Sequence, residues 1–529
     1  MHKHIHSQKQ ILEKSHKASY KQLVVNDDLF SELKEKAFAR RPLLCTILEK
    51  YGDLSLREFS KLYNTPYKKV IPQERKTQFI SAFRNEVERL LGKNVADSCE
   101  SQLKLTYRVT TTDHHGPLSE PGMVNSNIHE ALPYLKGKKS INNIIVLGCA
   151  NVSFDNESFP RGLLFHSYKN DTLINNQLVF YPRAVRPFPV VYYPAYVAQN
   201  LENAKKRIEN WVREEIINDE RKKELNQLIE TIYSREDVLS CKYFSEQVTK
   251  TNFLLWKKFM YSYPDAPNLV YIEQEGLVNK LLLEYHLAQP TMINKILFTP
   301  RYHELIIKYF DGILRGFSIK EKIGTYLFWA LPQGEKYRVQ LWKNGNYLET
   351  EDGRYRIALT PEGIKNAINK KELIPSTLMS FMLLTFYYGV RLAGGTNQTS
   401  YLTQMKEAFI SMQKEYGDRE SVAFVGDITT TDLSVAIQSM AFLQTPYEAR
   451  IPATGIDFIL YSNKATIAIM EQIARTLTVR ETFYRALPDC YKWYYKEEER
   501  EEHISKITKD DMEKYLGIEH KIVPSAKIC

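Results

Sequence analysis

The residues best suited to acid–base chemistry lie in the sequence TDHHGP at positions 112–117. Here one carboxylate stands next to two imidazoles. A histidine that is held by a carboxylate can accept a proton from a substrate amine or thiol near neutral pH. We therefore predict Asp113, His114 and His115 as catalytic residues, with one of the histidines as general base and Asp113 as its orienting partner.

Two other interpretations of this sequence stay open. Asp, Gly and Pro are typical turn residues, so the histidines could be ordinary surface residues. A carboxylate with imidazoles also suits Mn, Fe or Zn, and an Asp-His-His triplet after a strand occurs in the DHH phosphoesterases. Asp155 or His166 would then complete the metal site of a hydrolase. The chain has no DxD element between Lys17 and Tyr107 to accompany the triplet.

Two loops, 112–127 and 148–162, contain further polar side chains, and each follows a predicted strand. Loops at the carboxyl ends of parallel strands open at the same edge of a sheet, so we expect them to line one crevice. Arg161 could hold a carboxylate or phosphate through its guanidinium, or it could form an ordinary surface salt bridge. Cys149 could be a nucleophile if a helix start or a nearby base lowers its pKa, or it could be a small buried thiol. The predicted substrate-binding residues of these loops are Asn125, Asn127, Cys149, Asn151, Asp155, Asn156 and Arg161.

A glycine pair forms the second predicted binding element. An apolar segment ends at Gly394 and Gly395, and a helix is predicted to begin a few residues later. Paired glycines let backbone N–H groups approach a ligand, and a helix N-terminus favours negative charge. Gln398 and Tyr401 could direct their side chains to the same place. The segment could also be a plain strand–helix turn, and the chain has neither a Walker A sequence nor GxGxxG.

The elements that must position these residues predict an α/β fold class. A continuous apolar run at 144–147 is typical of a buried parallel strand. The tract between 199 and 261 has no Pro or Gly and predicts a helical hairpin or a coiled-coil arm. The predicted regions are a helical N-terminal region (1–100), the first part of the α/β core (101–197), the helical arm (198–262), the second part of the core (263–480) with a small antiparallel β insertion near 320–360, and a helical C-terminal tail (481–529).

Composition excludes several classes of protein. The 529 residues are 43% hydrophobic and 26% charged, which rules out a disordered chain or a collagen-like fibre. A net charge of +9 over this length is too dilute for a dedicated nucleic-acid binder, but it suits small anions. The six cysteines are scattered without a CxxC pair, which fits a reducing compartment.

The termini and apolar stretches predict a cytoplasmic protein without a membrane partner. The sequence MHKHIHSQKQ at the N-terminus has no apolar core or cleavage site, so it does not predict a secretory signal. The longest apolar stretch, 378–390, is interrupted by polar residues and is shorter than the roughly 20 residues that a bilayer requires.

Patches of the sequence resemble the bacillithiol-synthesis cysteine-adding enzyme family. The sequence VTTTDHHGPL at 109–118 is similar in outline to the family's loop T-G-Q-Q-x-G-L with G-P-L, and VSFDNE at 152–157 is similar to its D-F-D/E stretch. The sequence GGTNQTSY at 394–401 is similar in spacing to its G-G-P-x-E-x-x-Y motif, with Gln398 in place of the glutamate. The resemblance implies a Rossmann-like core with a coiled-coil arm, and a condensation or ligation of small molecules.

These observations predict an enzyme, ligase- or transferase-like, that joins an amino acid or a thiol to a polar or anionic metabolite. A metal-dependent hydrolase or phosphoesterase is the second hypothesis, and a scaffold that dimerises through the helical arm is the third. Because a long charged helix with one apolar seam commonly packs against a partner helix, we expect a homodimer in each case. The sequence identifies no cofactor and no resident metal, and nucleic acid is not an expected partner.

Overall fold

A four-stranded parallel sheet lies at the centre of the fold, which confirms the predicted α/β class with a parallel-sheet core. The computed structural model describes residues 24–135, 141–434, 440–446 and 449–528. The sheet has the order β4-β1-β2-β3, and every neighbouring pair is parallel. Its strands are β1 (Arg108–Thr110), β2 (Asn143–Gly148), β3 (Asn268–Glu273) and β4 (Arg391–Ala393).

Helices cover both faces of this sheet, because alternate strand residues enter two different hydrophobic cores. In β2, Ile144 and Val146 belong to one core, and Ile145 and Leu147 belong to the other. This explains why the strand has a continuous apolar sequence instead of an alternating one. The helices Pro121–Ala131 and Phe244–Phe259 contribute to the first core, and Gln73–Leu91, Lys93–Thr106, Gln274–Leu281 and Thr396–Tyr416 contribute to the second.

The described part of the N-terminal region is helical and contacts the C-terminal tail. Residues 1–23 of the predicted region lie outside the described residues. Apolar residues alternate with polar ones at positions 103–109, a pattern typical of a strand, yet this segment forms the end of a helix up to Thr106 and then β1. The helical conformation is favoured here because Cys99 and Leu103, four residues apart, are both fully buried on one helix face. The N-terminal helices are Asp27–Arg40, Pro42–Tyr51, Leu56–Leu62, Gln73–Leu91 and Lys93–Thr106, and those near the C-terminus are Gly455–Tyr461, Thr466–Thr476, Val479–Tyr494, Glu502–Ser505 and Lys509–Leu516.

The tract predicted as an arm is helical but packs against the body of the protein. It forms the helices Ala198–Arg213, Asp219–Leu228, Glu236–Leu239 and Phe244–Phe259, with a π-helical turn at Ile229–Tyr233. Its apolar seam is buried in the core of the same chain, through residues that include Ile208, Trp211, Leu225 and Leu228. A projecting coiled coil is therefore not formed within the described residues, because the seam is already covered. The homodimer stays a prediction.

Small antiparallel sheets accompany the core, and those near 320–360 confirm the predicted β insertion. A separate hairpin pairs Gly162–Lys169 with Thr172–Val179. Its turn residues Asn170 and Asp171 have φ values of 45° and 62°, as a type I′ hairpin turn requires. Three small sheets have three strands each. The first consists of Leu373–Pro375, Phe328–Ala330 and Val339–Gln340, and the second of Trp342–Asn344, Tyr347–Glu349 and Arg356–Ala358. The third consists of Arg450–Pro452, Phe442–Gln444 and Ala526–Lys527, and its last strand is parallel to its neighbour, while Phe317–Ser318 forms a separate pair with Ile323–Gly324.

The longest apolar stretch of the sequence is a buried helix. It forms Thr377–Phe381 and continues as a π-helical segment, Met382–Tyr387, inside the second core. Within the described residues, no helix combines the length and the apolar character that are needed to cross a bilayer. The remaining helices are Met292–Phe298, Pro300–Phe310, Pro361–Asn369 and Arg419–Gly426, with a π-helical turn at Leu282–His286.

Candidate functional site

The carboxyl ends of the four parallel strands form one edge of the sheet, and the predicted loops lie along it. The chain places β2 and β3 on one side of β1 and returns to place β4 on the other, so the strand order reverses between β1 and β4. Ligands of open α/β sheets bind at such a reversal. Thr111 Oγ1 hydrogen-bonds to Gln398 Oε1 at 2.9 Å across this point, and His114 pairs with Cys149 beyond β2. The structure thus brings 112–127, 148–162 and 394–401 to one edge.

His114 is half-buried at this edge, and one of its ring nitrogens is held by an amide. Its Nδ1 lies 2.7 Å from Oδ1 of Asn156, and the same oxygen accepts a hydrogen bond from the backbone N–H of Ser158. The oxygen is therefore an acceptor, so Nδ1 carries the proton and Nε2 has a free lone pair. Burial lowers the pKa of His114 and Asn156 opposes this effect. The imidazole is accordingly neutral at pH 7, and Nε2 makes no hydrogen bond within the described residues.

His115 differs from its neighbour because it is completely buried. Its Nε2 donates to the carbonyl of Ser245 at 2.8 Å, so Nδ1 is unprotonated, and that atom is buried without a partner. Burial lowers the pKa of His115 to about 4. A Cβ atom on Gly148 would lie 2.9 Å from Nδ1, so the ring fits closely beneath the end of β2. These contacts give His115 a packing environment rather than access to substrate.

Asp113 does not orient either histidine, which corrects the predicted arrangement. Its Oδ2 accepts hydrogen bonds from Asn127 at 3.0 Å and from the hydroxyl of Tyr271, while Oδ1 is buried without a partner. Burial raises the pKa of Asp113 to about 7, although both hydrogen bonds act in the opposite direction. The orienting partner of His114 is Asn156, and Asn127 acts on Asp113 and Tyr271 below the edge. The catalytic role of each residue stays a prediction.

Glu275, just beyond β3, fixes the start of the loop that follows β2. Its carboxylate accepts hydrogen bonds from the backbone N–H groups of Ala150 (2.8 Å) and Asn151 (3.2 Å) and from the Cys149 thiol (3.2 Å). Burial, followed by the nearby Glu275 carboxylate, raises the pKa of Cys149 far above its ordinary value. Cys149 is therefore a neutral thiol, and not a thiolate nucleophile.

Two arginines from outside the sheet reach this edge. Arg338 donates to the backbone and side-chain oxygens of Asn151 and lies over the ring of Trp329, 4.7 Å from its centroid. Arg315 is exposed and makes no hydrogen bond or ion pair within the described residues. Its charge lowers the pKa values of His114 and Arg338, so it lies near both. Arg315 also has a left-handed backbone, φ 64°, a strained conformation that is common at functional sites.

Tyr401 completes the group from the helix that follows β4. Its ring stacks on Phe381, with centroids 6.0 Å apart and planes 9° apart. Burial raises the pKa of the Tyr401 hydroxyl, which Arg315 partly opposes and Cys149 reinforces; the hydroxyl is a donor at neutral pH. We refer to His114, Cys149, Arg315, Arg338 and Tyr401 as the arginine cleft.

The glycine pair has the expected strand–helix geometry. Gly395 is the N-cap residue of the 21-residue helix Thr396–Tyr416, and no side chain caps this helix start. A Cβ atom on Gly394 would lie 2.1 Å from Cδ of Gln398, so only glycine allows the close approach. The helix after β1 differs, because Glu120 caps it by accepting from Met123 N–H at 2.7 Å. Of these two helices, it is the one after β4 that leaves its positive end open to an anion.

Three predicted binding residues contact other parts of the protein. Asn125 Oδ1 accepts from the backbone N–H groups of Met440 and Ala441 at 3.0 and 3.1 Å, so its amide holds a neighbouring segment. Asp155 is exposed and lies 3.8 Å from Arg186. Arg161 covers the ring of Phe159, 5.0 Å from its centroid, and its Nε is buried without a partner.

The proposed metal ligands do not converge. His166 Nδ1 lies 2.7 Å from Asp457, Asp155 lies near Arg186, and the Asp113 and His115 side chains have the partners given above. Among the described residues, the side chains with metal-ligand geometry are Glu32, Glu501 and His503, in the terminal helices and away from the sheet edge. The geometry therefore corrects the expectation that Asp113, His114 and His115 form one ligand set with Asp155 or His166.

Sequence reasoning missed Glu275, Glu273, Tyr271, Arg315 and Arg338. The sequence LVYIEQEG at 269–276 had a usable signal, since it is an apolar strand that ends in two carboxylates and a glycine. The two arginines had no such signal, because they lie in segments that are remote from the sheet in sequence.

The chain matches no protein-family model and no curated protein.

Proposed function

We propose that this protein is a cytoplasmic small-molecule enzyme in which His114 is the general base and Arg315 and Arg338 bind an anionic substrate. One observation carries the proposal: Asn156 holds the Nδ1–H of His114, which leaves a neutral imidazole with a free Nε2 near Arg315. Arg315 in turn lies near Arg338, and neither arginine forms an ion pair within the described residues. A general base acts best when it is unprotonated at the working pH and near the reacting proton.

The reaction that fits this arrangement is a condensation of the ligase or transferase type. Nε2 of His114 would accept the proton of an amine or thiol while that group attacks an electrophilic carbon of the anionic partner. The imidazolium would then return this proton to the leaving group as the bond between that carbon and the leaving group breaks. The protonated hydroxyl of Tyr401 can donate to developing negative charge, and the uncapped helix start after Gly395 can hold an anionic group. No step in this scheme requires Cys149 to be ionised.

The resemblance to the bacillithiol-synthesis cysteine-adding enzyme family supports this reaction class without defining the substrate. Two of the segments that carry the resemblance, 109–118 and 394–401, lie at the ends of neighbouring parallel strands, β1 and β4. A Rossmann-like description of the core, which the resemblance implies, is part of this proposal. The hydrolase and the scaffold have no specific observation in their favour, because the ligand sets diverge and the apolar seam of the tract 199–261 is covered.

The test is a metabolite screen followed by substitution of His114. Purified protein is incubated with pooled amino acids, thiols and phosphorylated or carboxylated metabolites, and products are identified by mass spectrometry. His114→Asn retains a donor toward Asn156 but has no basic nitrogen, so we expect turnover to fall by about 10²–10⁴-fold. His503→Asn, in an exposed histidine of the tail, is the matched control. Turnover of His114→Asn within about threefold of the unsubstituted protein would contradict the proposal.

A further inference from the structure

Two adjoining cavities lie next to the carboxyl end of β3, apart from the arginine cleft. The smaller has a volume of about 210 Å³ and is lined by Glu273, the last residue of the strand, and by Ser245 and Lys280. The larger has a volume of about 690 Å³. Tyr192 and Lys371 line both cavities, so the two spaces meet at these residues. No residue of the arginine cleft lines either one.

The charged groups of the smaller cavity do not all neutralise one another. Arg89 forms ion pairs with both Glu86 and Glu246, which leaves Glu273, Lys280 and Lys371. None of these three forms an ion pair of 4 Å or less within the described residues. Lys371 stabilises the charged form of Glu273 electrostatically, so the two groups lie near each other. The cavity therefore presents one carboxyl and two ammonium groups to its interior.

The two residues that separate the cavities are held in strained backbone conformations. Tyr192 has φ 64° and Lys371 has φ 63°, a left-handed conformation that is unfavourable for a residue other than glycine. Lys371 follows the helix Pro361–Asn369, at a position where glycine is usual. The Tyr192 hydroxyl donates to Leu373 O at 3.0 Å and accepts from Asn279 at 2.6 Å. These contacts fix the Tyr192 side chain at the position where it lines both cavities.

We propose that the smaller cavity binds the ammonium and carboxylate groups of a free amino acid. Glu273 would accept hydrogen bonds from the ammonium group, and Lys280 and Lys371 would donate to the carboxylate. The carboxyl group of Glu273 would repel a simple anion, and the two lysines would repel a simple amine. A zwitterion has both charges and so complements all three side chains. Sites for drug-sized ligands usually have volumes of roughly 300–1,000 Å³. The smaller cavity lies below this range, so its volume suits a smaller metabolite.

The larger cavity determines the class of amino acid. Its wall next to Tyr192 includes Phe188, Val191, Tyr193 and Leu331. These side chains make the part of the wall beside Tyr192 apolar, with two aromatic rings, and such a wall suits the apolar portion of a ligand. The same cavity is also lined by the polar residues Gln333, Glu335, Lys370 and Glu372. We therefore assign an apolar side chain, aromatic or branched, to the bound amino acid.

Calorimetric titration of the full chain tests this assignment with three probes. They are L-phenylalanine, phenethylamine, which has no carboxylate, and 3-phenylpropionate, which has no ammonium group. Because a hydrogen bond to a charged group is worth about 1.5–3 kcal/mol, we expect phenylalanine to bind at least about tenfold more tightly than either analogue. Glu273→Gln and Lys371→Met should each weaken phenylalanine binding by about tenfold or more.

The controls are Glu362→Gln and Lys365→Met, on the exposed face of a single helix, and these should bind phenylalanine as the unsubstituted protein does. Lys280→Met is a second test of the carboxylate contact, should Lys371→Met lose its circular dichroism signal. Equal affinity for phenylalanine and either analogue would overturn the inference. So would the absence of binding at millimolar concentration for both phenylalanine and leucine, an amino acid with a branched side chain that is titrated in the same way. The inference does not depend on the proposed function, because His114 lines neither cavity and binding is measured without turnover.

Discussion

Glu273 and Glu275 are two residues apart, yet they belong to two different regions of the same sheet edge. Glu275 turns toward the loop after β2, where backbone N–H groups and the Cys149 thiol use its oxygens. Glu273 faces a cavity, and burial raises its pKa to about 7. Next to the arginine cleft the Glu275 carboxylate is already hydrogen-bonded by backbone N–H groups, and Arg315 makes no hydrogen bond within the described residues. The carboxyl group of Glu273, in contrast, lines a cavity. The local loops, and not the sheet, therefore decide which charge a ligand meets.

The largest expected effect concerns the buried carboxyl below the arginine cleft. The pKa of Asp113 is raised to about 7 from an ordinary value of 3.8, so the folded state holds a proton that the unfolded state releases. Its contribution to the free energy of unfolding is fully present below pH 4 and is lost as the pH rises to 7, by up to about 4 kcal/mol. Asp113→Asn should remove this dependence.

Urea denaturation at pH 5 and pH 8 measures this effect. The unsubstituted protein should lose stability between pH 5 and pH 8 as Asp113 ionises. Asp113→Asn should lose less over the same interval, whereas Glu362→Gln should lose as much as the unsubstituted protein. Glu273→Gln should show a difference of the same sign as Asp113→Asn but smaller, since Glu273 is half-buried at a cavity. A pH dependence that Asp113→Asn leaves unchanged would show that this carboxyl titrates normally.

Arg315→Met separates the two regions by ligand affinity. Loss of a hydrogen bond to a charged group costs about 1.5–3 kcal/mol, so binding of the anionic substrate should weaken by about 10- to 150-fold. Titration with phenylalanine should give the unsubstituted affinity, because Arg315 does not line the Glu273 cavity. Arg354→Met, in an exposed turn, serves as the control. If both ligands lost affinity equally, the two regions would be one site.

Gly148→Ala tests the contact between the regions, because His115 lies below Gly148 and donates to Ser245, which lines the Glu273 cavity. The added Cβ would lie 2.9 Å from His115 Nδ1, so we expect a loss of about 1–3 kcal/mol in the free energy of unfolding. Gly426→Ala is the matched control, since its Cβ would meet no atom within 4 Å. Equal stability of the two variants would mean that His115 moves freely.

The smallest effect is expected at the contact between β1 and β4. Gln398→Met removes the hydrogen bond to Thr111 and should reduce the free energy of unfolding by about 0.5–1.5 kcal/mol. Gln404→Met, on the exposed face of the same helix, should stay within about 0.5 kcal/mol of the unsubstituted protein. A larger loss for Gln404→Met would reverse the assignment of these two faces.

The sequence by itself determined the class of fold and the placement of the candidate loops. The apolar run 144–147 ends in a glycine, and the glycine pair 394–395 precedes a helix, so local patterns were sufficient to predict strands with polar loops at their ends. The buried strand pattern predicts a covered parallel sheet because both faces must be apolar.

Only the tertiary structure decided what each polar side chain in those loops can do. Adjacent histidines have different environments because Asn156, 42 residues away, holds His114, whereas Ser245, 130 residues away, binds His115. Arg338 reaches Asn151 across 187 residues. Hydrogen bonding and desolvation depend on such distant partners, and spacing along the chain does not contain them.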